Sequence, residues 1–149
     1  MLEEKLKKIK IKDKQELLKL INEIYDIYNP CTIIIHGSAV KNDYVEKISD
    51  IDLIIISNEF EKINHKERFI KLLEISQRYN LRAEIFGYTK GEIIRMIKNL
   101  NFFILDAIYY GIPLKNDGIF WMNIIEEFRK VEKEHCLEKT ETDGWKFKN

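Results

Sequence analysis

Two short runs of mostly apolar, β-branched residues, CTIIIH at 31–36 and IDLIIIS at 51–57, constrain the fold more than any other feature of this sequence. Runs of this length and composition predict strands. Because neither run alternates regularly with polar residues, both faces of the sheet should be buried, and this requires helices on both sides. The sequence therefore predicts a small mixed β-sheet flanked by helices, in the α/β or α+β class.

Helical patterns surround these two strands. Asp13, Asn64 and Thr89 each precede a glutamate by three positions, which is the capping-box pattern at the start of a helix. The predicted helices cover 13–28, 64 to about 79, a segment that begins at Thr89, 102–110 and 119–135. We expect inward-facing stripes made of Phe69, Leu72, Leu73 and Ser76 on the second of these helices, and of Trp121, Ile124, Ile125, Phe128 and Val131 on the last.

A third strand is predicted at 81–88, LRAEIFGY, where the residue types alternate. Alternation places Leu81, Ala83 and Ile85 on one face and Arg82, Glu84 and Phe86 on the other. If this strand lies beside the second one, Glu84 shares a face with the acidic residues that open the second strand.

One domain is expected over residues 1–149, with a core at about 13–115 and a C-terminal helix and tail at 116–149. The last 14 residues, 136–149, are charged and expected to be loosely held, although Trp145 and Phe147 suggest some docking. Tyr25, Tyr28, Tyr109 and Tyr110 lie on apolar helix stripes, so we expect them in the core rather than as platforms for base stacking.

The charge and cysteine content exclude several classes of protein. Lysines and arginines number 25, as do aspartates and glutamates, and a net charge of zero argues against a general nucleic-acid binder. Cys31 and Cys136 lie far apart and outside any CxxC pair, so neither a disulfide framework nor a zinc site is expected. The N-terminus is too charged for a signal peptide, and no apolar run approaches the ~18 residues of a membrane span. A cytoplasmic protein with no membrane association is expected.

The segment between the first two strands carries the candidate chemistry. Gly37 and Ser38 directly follow the first strand, and a helical turn there would offer N–H groups and a hydroxyl to a phosphate. The segment is not a P-loop, because GSAVKND lacks the GxxxxGK[ST] pattern. A Gly-Ser pair by itself is also compatible with an ordinary turn.

Asp50 and Asp52 open the second strand. Residues two apart on a strand share a face, so both carboxylates converge while Ile51 is buried on the other side. Paired carboxylates repel each other unless a cation lies between them, and oxygen ligands favour Mg²⁺ or Mn²⁺. Glu84 would add a third carboxylate and allow a two-metal site. The alternatives are a solvated strand end for the aspartates, and an edge-strand ion pair with Arg82 or a helix lysine for Glu84.

The stretch HGSAVKNDYVEKISDIDLIII, residues 36–56, resembles the hG[GS]…DxD signature of the DNA polymerase β-like nucleotidyltransferase superfamily. It looks most like the small members called minimal nucleotidyltransferases. Ser49-Asp50-Ile51-Asp52-Leu53 matches the second block of that signature at every position. YYGIPLK at 109–115 resembles the helix end and short strand that close many small members.

This resemblance implies the nucleotidyltransferase fold and particular site residues. Gly37 and Ser38 would bind the triphosphate of ATP or another nucleoside triphosphate. Asp50, Asp52 and Glu84 would be catalytic and would bind Mg²⁺, with two ions expected. Many small members read GSxARG after the first strand, so Lys41 here would replace the arginine as a point charge on phosphate. His36 stands where the family is usually apolar or aromatic, and a packed strand-end histidine is favoured.

The resemblance also implies partners. Minimal nucleotidyltransferases commonly serve as antitoxins beside HEPN-type RNase toxins, some by adenylylating the toxin. The expected activity is therefore Mg-dependent transfer of AMP from ATP to a hydroxyl acceptor, for which a partner protein in a toxin–antitoxin pair is one candidate. The alternative is a non-catalytic antitoxin or interaction module that binds a HEPN-type toxin. The helix at 119–135 could pair with another chain, so a homodimer stays open.

Two rival enzyme classes fit less well. In haloacid-dehalogenase-type phosphatases the D-x-D follows the apolar strand, whereas here it precedes the apolar run. Arg129 and His135 have the loose R-x5-H spacing of HEPN RNase motifs, but that family is all-helical. A charged helix face explains these two residues better.

Overall fold

The computed structural model describes residues 2–7, 9–11, 13–41, 50–142 and 144–148, and these contain six helices, two 3₁₀ helices and six strands. In chain order they are α1 (Leu2–Leu6), α2 (Lys14–Tyr28), β1 (Thr32–His36), the 3₁₀ helix Gly37–Ala39, β2 (Ile51–Ile56), the 3₁₀ helix Asn58–Lys62, α3 (His65–Ser76), β3 (Ala83–Tyr88), α4 (Lys90–Lys98), α5 (Phe102–Tyr110), β4 (Ile112–Asn116), α6 (Gly118–Glu134), β5 (Leu137–Lys139) and β6 (Trp145–Phe147).

Four strands form a mixed sheet in the order β3-β2-β1-β4. The central strands β1 and β2 are antiparallel, and β4 is antiparallel to β1. The edge strand β3 runs parallel to β2, because α3 carries the chain back across the sheet between them. The predicted mixed sheet is therefore confirmed, and the third strand lies beside the second, which is the condition under which Glu84 shares a face with the start of β2.

The two isoleucine runs are buried on both faces, as predicted. One face carries Ile33, Ile35, Leu53 and Ile55, and it packs with apolar residues of α1, α2 and α3. The opposite face carries Ile34, Ile54 and Ile56, and it packs with α4, α5 and α6. The sheet therefore separates two hydrophobic clusters, and the site lies at one end of the second face.

The predicted caps start their helices. The Asp13 carboxylate accepts the amide of Glu16 at 3.3 Å, and the Asn64 side chain accepts that of Glu67 at 2.9 Å. At α4 the box is complete, since Thr89 accepts the amide of Glu92 and Glu92 accepts the amide of Thr89. These contacts satisfy amides that have no partner within the helix.

The predicted stripe on α3 was wrong at two of its four positions. Phe69 and Leu73 are about 40% exposed, whereas Arg68 is buried. The Arg68 guanidinium donates to the carbonyls of Phe60 at 2.6 Å and Ile63 at 2.7 Å, and it pairs with Glu92 at 2.6 Å. A buried arginine is tolerated because these acceptors replace water, and apolar spacing alone gives no sign of them.

The C-terminal segment is more structured than predicted. Residues 137–139 and 145–147 pair as an antiparallel hairpin. Trp145 packs against α5 and α6, with ring centroids 5.7 Å from Tyr109 and 5.9 Å from Phe128, whereas Phe147 is exposed. On α6 the inward face gains Phe120, which the predicted stripe omitted, while Trp121 and Ile125 are only partly buried.

The N-terminal helix α1 was not predicted, and Leu6, Ile9 and Ile11 from this region join the first cluster. Cys31 and Cys136 are both free thiols, as expected. Among the described residues, no helix is both long enough and apolar enough to cross a membrane.

Candidate active site

Three polar residues form a row across the sheet. His36 ends β1 and lies opposite Asp52 on β2, and Asp52 lies opposite Glu84 on β3. Neighbouring residues in register on adjacent strands share a face, so the three side chains project from the same side of the sheet. The parallel alignment of β2 and β3 brings the second aspartate and the glutamate together.

Gly37 brings the turn after β1 into direct contact with this row. Its φ is +75°, a conformation that L side chains rarely adopt, and a Cβ there would overlap Oδ2 of Asp52. The glycine is therefore required both by the backbone and by the carboxylate beside it. The turn after β1 therefore lies directly against the acidic row.

The turn itself is a single 3₁₀ turn, Gly37–Ala39, in which the amides of Val40 and Lys41 both donate to the Gly37 carbonyl at 3.2 Å. A turn this short has little of the helix dipole that would attract a phosphate to its N-terminus. What it offers a ligand is instead the partly exposed Ser38 hydroxyl and the Lys41 side chain.

Asp50 lies immediately before β2, and Arg82 immediately before β3. Oδ1 of Asp50 accepts from Nε of Arg82 at 3.1 Å. The ion pair with Arg82 that the sequence offers as an alternative for Glu84 is formed in the structure by Asp50. Glu84 lies on the exposed edge strand, as that alternative supposed.

The electrostatics of Asp52 reflect crowding. Partial burial, followed by the Glu84 and Asp50 carboxylates, raises the pKa of Asp52 from 3.8 to about 6. Like charges disfavour the ionised form, and a bound cation would relieve this repulsion. Glu84 therefore acts on Asp52 from the neighbouring strand, and Asp50 acts on it from two positions earlier in the chain.

The donor set fits a hard divalent cation. Asp50, Asp52 and Glu84 supply only carboxylate oxygens, the ligands that Mg²⁺ prefers, and Gly37 keeps the space beside Asp52 free of a side chain. As they are oriented, however, the described side chains do not bring three His, Cys, Asp or Glu residues close enough together to hold a metal ion. Asp50, one of the three carboxylates, is paired with Arg82 instead.

His36 is a packed strand-end histidine, as expected. It is 7% exposed, and its ring lies edge-on to Phe103 with centroids 5.3 Å apart. Burial and the nearby Lys41 charge lower the pKa of His36 to about 4, although Asp106 acts in the opposite direction. The imidazole is therefore neutral at pH 7, and no described group hydrogen-bonds its Nε2.

Aromatic residues border the acidic row, and sequence reasoning placed Phe86 on the Glu84 face without giving these residues a role there. Phe86 follows Glu84 by two positions on the same face, and its ring lies 5.8 Å from Phe69 and 5.7 Å from Phe103. Sequence reasoning also assigned Tyr109 and Tyr110 to the core, whereas Tyr109 is 49% exposed and the Tyr110 ring centroid lies 4.3 Å from the Lys41 ammonium. Only the tertiary fold brings Phe69 and Phe103 to Phe86, and Tyr110 to Lys41, so no local signal could have revealed these contacts.

Ser49, which belongs to the DxD block, lies outside the described residues, as does Asn42 after the turn. Arg129 lies exposed on α6, and His135 is exposed where that helix ends. The two are remote from the acidic row in the chain, and their exposure agrees with the charged surface that the sequence suggested.

Comparisons with known proteins agree with this fold. A toxin–antitoxin complex with AMP-PNP is similar to this chain at a TM-score of 0.54 and 13% identity, over 84% of this chain and 94% of that one. A mutant of the toxin–antitoxin pair MntA-HpeT has a TM-score of 0.51 and 11% identity, over 82% and 91%. At these identities the similarity shows the fold alone. No curated protein matches the chain significantly.

The model of the nucleotidyltransferase domain family matches residues 14–108, which is more than half of the chain. This range runs from the start of α2 into α5 and includes the turn and all three acidic residues. The fold of the whole chain, with a four-stranded mixed sheet between helices, also agrees with that of the solved structures. The chain therefore belongs to the nucleotidyltransferase domain family and is a nucleotidyltransferase.

Proposed function

We propose that this nucleotidyltransferase transfers AMP from ATP to a hydroxyl group of a partner protein, within a toxin–antitoxin pair. The observation that carries the proposal is the register of Asp52 with Glu84, directly beside the Gly37 turn. Carboxylates beside a turn that would bind phosphate support the proposal. The toxin–antitoxin assemblies among similar structures, one of them with AMP-PNP, support both the nucleotide and the partner.

The order of the strands suggests where each substrate lies. The turn after β1 carries Ser38 and Lys41, whose hydroxyl and ammonium would donate to the β- and γ-phosphates. Glu84 lies two strands away on the exposed edge. The acceptor hydroxyl would therefore approach from the edge of the sheet, on the opposite side of the α-phosphorus from the leaving group.

The proposed reaction forms a bond between the acceptor oxygen and the α-phosphorus and breaks the bond between the α-phosphorus and the bridging oxygen. Pyrophosphate leaves, and Glu84 accepts the hydroxyl proton or orients the hydroxyl. Mg²⁺ held by Asp50 and Asp52 would neutralise charge on the phosphates and on pyrophosphate, and a second Mg²⁺ shared with Glu84 would position the acceptor hydroxyl or lower its pKa. The site residues thus divide between the phosphate side and the acceptor side.

A surface on α6 supports a protein partner. Ile119 and Met122 are 75% and 71% exposed. Beside them lies a groove of about 560 Å³ lined by Trp121, Met122, Ile125, Glu126, Arg129, Lys130 and Lys133. Apolar residues with a mainly basic rim are typical of an interaction site, and they would complement an acidic, amphipathic segment of the partner.

The test is incubation of the protein with ATP, Mg²⁺ and the product of the neighbouring gene, followed by intact-mass analysis. A mass increase by one or more AMP units on the partner is expected, and the Asp50→Ala/Asp52→Ala variant should produce none. The absence of any adduct with the wild-type protein would argue against the transfer activity.

A binding-only antitoxin is the second candidate. It is favoured by the Asp50–Arg82 ion pair and by the lack of a closed three-ligand cluster in the described part of the chain. Calorimetry of Mg-ATP binding separates the two. Transfer requires that the Asp50→Ala/Asp52→Ala variant bind more weakly than wild type, whereas a binding-only protein would show equal affinity or none in either.

A further inference from the structure

Two lysines from distant parts of the chain contact one tyrosine ring. The Lys41 ammonium lies 4.3 Å from the centroid of Tyr110, and the Lys139 ammonium lies 4.8 Å from it. Lys41 follows the turn Gly37–Ala39, called the phosphate turn because the proposed function has it bind phosphate, whereas Lys139 belongs to the C-terminal hairpin. Tyr110, at the end of α5, therefore connects the candidate nucleotide site to the hairpin.

The register of β1 and β4 explains why Tyr110 lies beside the turn. Ile112 lies opposite Ile35, so the residues just before Ile112 run alongside the residues just after Ile35. Gly111 makes this approach possible, because a Cβ there would overlap the Ala107 carbonyl and Cγ2 of Ile34. The end of α5 is thus held against the strand that leads into the Gly37 turn.

The Tyr110 ring is held in place by the hairpin. The Lys139 side chain is 8% exposed and pairs with Oδ1 of Asp106 at 2.8 Å. The indole Nε1 of Trp145 donates to the same oxygen at 2.7 Å. Tyr109 packs edge-on against Tyr110 with centroids 4.8 Å apart. These contacts fix the ring, and Asp106 neutralises the Lys139 charge that would otherwise repel Lys41.

We propose that Tyr110 is a positioning residue that holds the Lys41 ammonium beside the phosphate turn, ready to contact a nucleoside triphosphate. The proposal rests on the proposed function, in which Lys41 binds phosphate. Lys41 is anchored at both ends, since its amide donates to the Gly37 carbonyl at 3.2 Å and its ammonium lies on the Tyr110 ring.

The physical basis is preorganisation. A lysine side chain loses rotamer freedom when it binds phosphate, and holding it near its bound position beforehand lowers that entropic cost. An exposed cation–π contact has the strength to change affinity by about two- to fivefold. Aromatic character is the requirement, because the ring face attracts the ammonium whether or not the ring carries a hydroxyl.

The experiment is a double-mutant cycle, with binding of AMP-PNP and Mg²⁺ measured by calorimetry. Tyr110→Leu should weaken binding about two- to fivefold, and Tyr110→Phe should restore it to within about twofold of wild type. Lys41→Met should also weaken binding. In the Lys41→Met background, Tyr110→Leu should have no further effect, because the contact that it removes is already absent.

A matched control comes from Tyr25, whose ring contacts the Lys115 ammonium at 3.2 Å on the other side of β4, away from the turn. Tyr25→Leu removes a comparable cation–π pair and should leave AMP-PNP affinity unchanged. Thermal unfolding of each variant checks that the fold is intact. A Tyr110→Leu effect that persists undiminished without Lys41, or that Tyr110→Phe fails to rescue, would overturn the proposal.

The outcomes also separate this inference from the proposed function. If Lys41→Met weakens binding but Tyr110→Leu does not, Lys41 binds phosphate without help from Tyr110, and only the present inference fails. Tighter binding in Tyr110→Leu would mean that the ring withholds the lysine, which likewise contradicts the inference alone. If the wild-type protein binds no AMP-PNP at all, both the inference and the proposed function fail.

Discussion

Gly37 and Asp52 lie against each other at the end of the sheet, so closely that a side chain on Gly37 would overlap the carboxylate of Asp52. Gly37 also has a φ of +75°. The contact joins the turn after β1 to the acidic strand β2, so any change at Gly37 acts on both.

Gly37→Ala should therefore lose AMP-PNP binding and destabilise the fold by about 1–3 kcal/mol, because of the backbone conformation and the overlap. Urea denaturation and calorimetry measure the two effects. Gly91→Ala on α4 is the matched control, since the nearest atom to a Cβ there is Nη1 of Arg95 at 3.8 Å. It should be neutral or stabilising by up to ~1 kcal/mol. Equal behaviour of the two variants would contradict the account.

Asp52→Asn should raise the thermal stability of the metal-free protein and abolish its stabilisation by Mg²⁺. The amide keeps the shape of the carboxylate but removes a charge that Glu84 and Asp50 crowd. A ligand that binds only the folded state raises its stability, so Mg²⁺ should raise the melting temperature of the wild type alone. An equal Mg²⁺ increment in both proteins would show that Asp52 is not a ligand.

Glu84→Ala should leave nucleotide binding nearly intact and abolish transfer to the partner. Glu84 lies on the edge strand, apart from the turn that would hold the phosphates, so its loss affects the acceptor side. Calorimetry and intact mass give the two readouts. Glu61→Ala removes an exposed acid from the 3₁₀ helix Asn58–Lys62 and should change neither. Full transfer activity of Glu84→Ala would show that Glu84 is not a catalytic residue.

Acid should destabilise the fold through Glu92. Its partial burial would raise its pKa, but the Arg68 guanidinium and the Thr89 amide outweigh this effect and hold the pKa of Glu92 below its usual 4.5. A carboxyl with a lowered pKa contributes stability that is present above 4.5 and is lost as pH falls through its folded pKa. Glu92→Gln should therefore flatten the pH dependence of the unfolding free energy in that acidic window, as measured by urea denaturation.

The partner of Glu92 gives a second measurement. Arg68→Leu leaves buried carbonyls and Glu92 without their donor and should cost about 3 kcal/mol. Arg78→Leu is the control, because Arg78 is 58% exposed and its pair with Glu23 should contribute at most ~1 kcal/mol. Similar losses of unfolding free energy in the two variants would mean that the burial of Arg68 adds nothing to the stability of the fold.

Met122→Asp should weaken the complex with the neighbouring gene's product while leaving AMP-PNP affinity unchanged. Met122 is exposed on α6, and a charge there would be buried against an apolar partner surface. Size-exclusion chromatography and calorimetry with the purified partner measure the change. The control is Asn123→Asp, which adds the same charge at the neighbouring exposed position outside the groove. An unchanged complex in the Met122→Asp variant would exclude this face as the interface.

Much of the fold follows from local pattern. The caps at Asp13, Asn64 and Thr89 start helices where they were predicted, because a cap and its helix interact within four residues. The burial of Arg68 and the exposure of Phe69 were not predictable in this way. They depend on carbonyls contributed by Phe60, Ile63 and Gly87, which reach Arg68 only in the folded chain.

The C-terminal hairpin illustrates the same limit. A charged tail has no apolar alternation that would predict strands, yet Trp145 and Lys139 both bind Asp106 on α5. The aromatic residues in the tail correctly suggested docking, but Phe147 stays exposed. Which of the two docks depends on where α5 and α6 leave space.

By itself, the sequence determined the two buried isoleucine strands, with a Gly-Ser turn after the first and two aspartates at the start of the second. Strand alternation and isoleucine composition are local properties, and they need no knowledge of distant residues. Only the tertiary structure decided that Glu84 lies opposite Asp52, that Asp50 pairs with Arg82 and that Tyr110 contacts Lys41. These relationships join residues 25 or more positions apart, so they depend on how the strands pair and how α5 packs across the sheet.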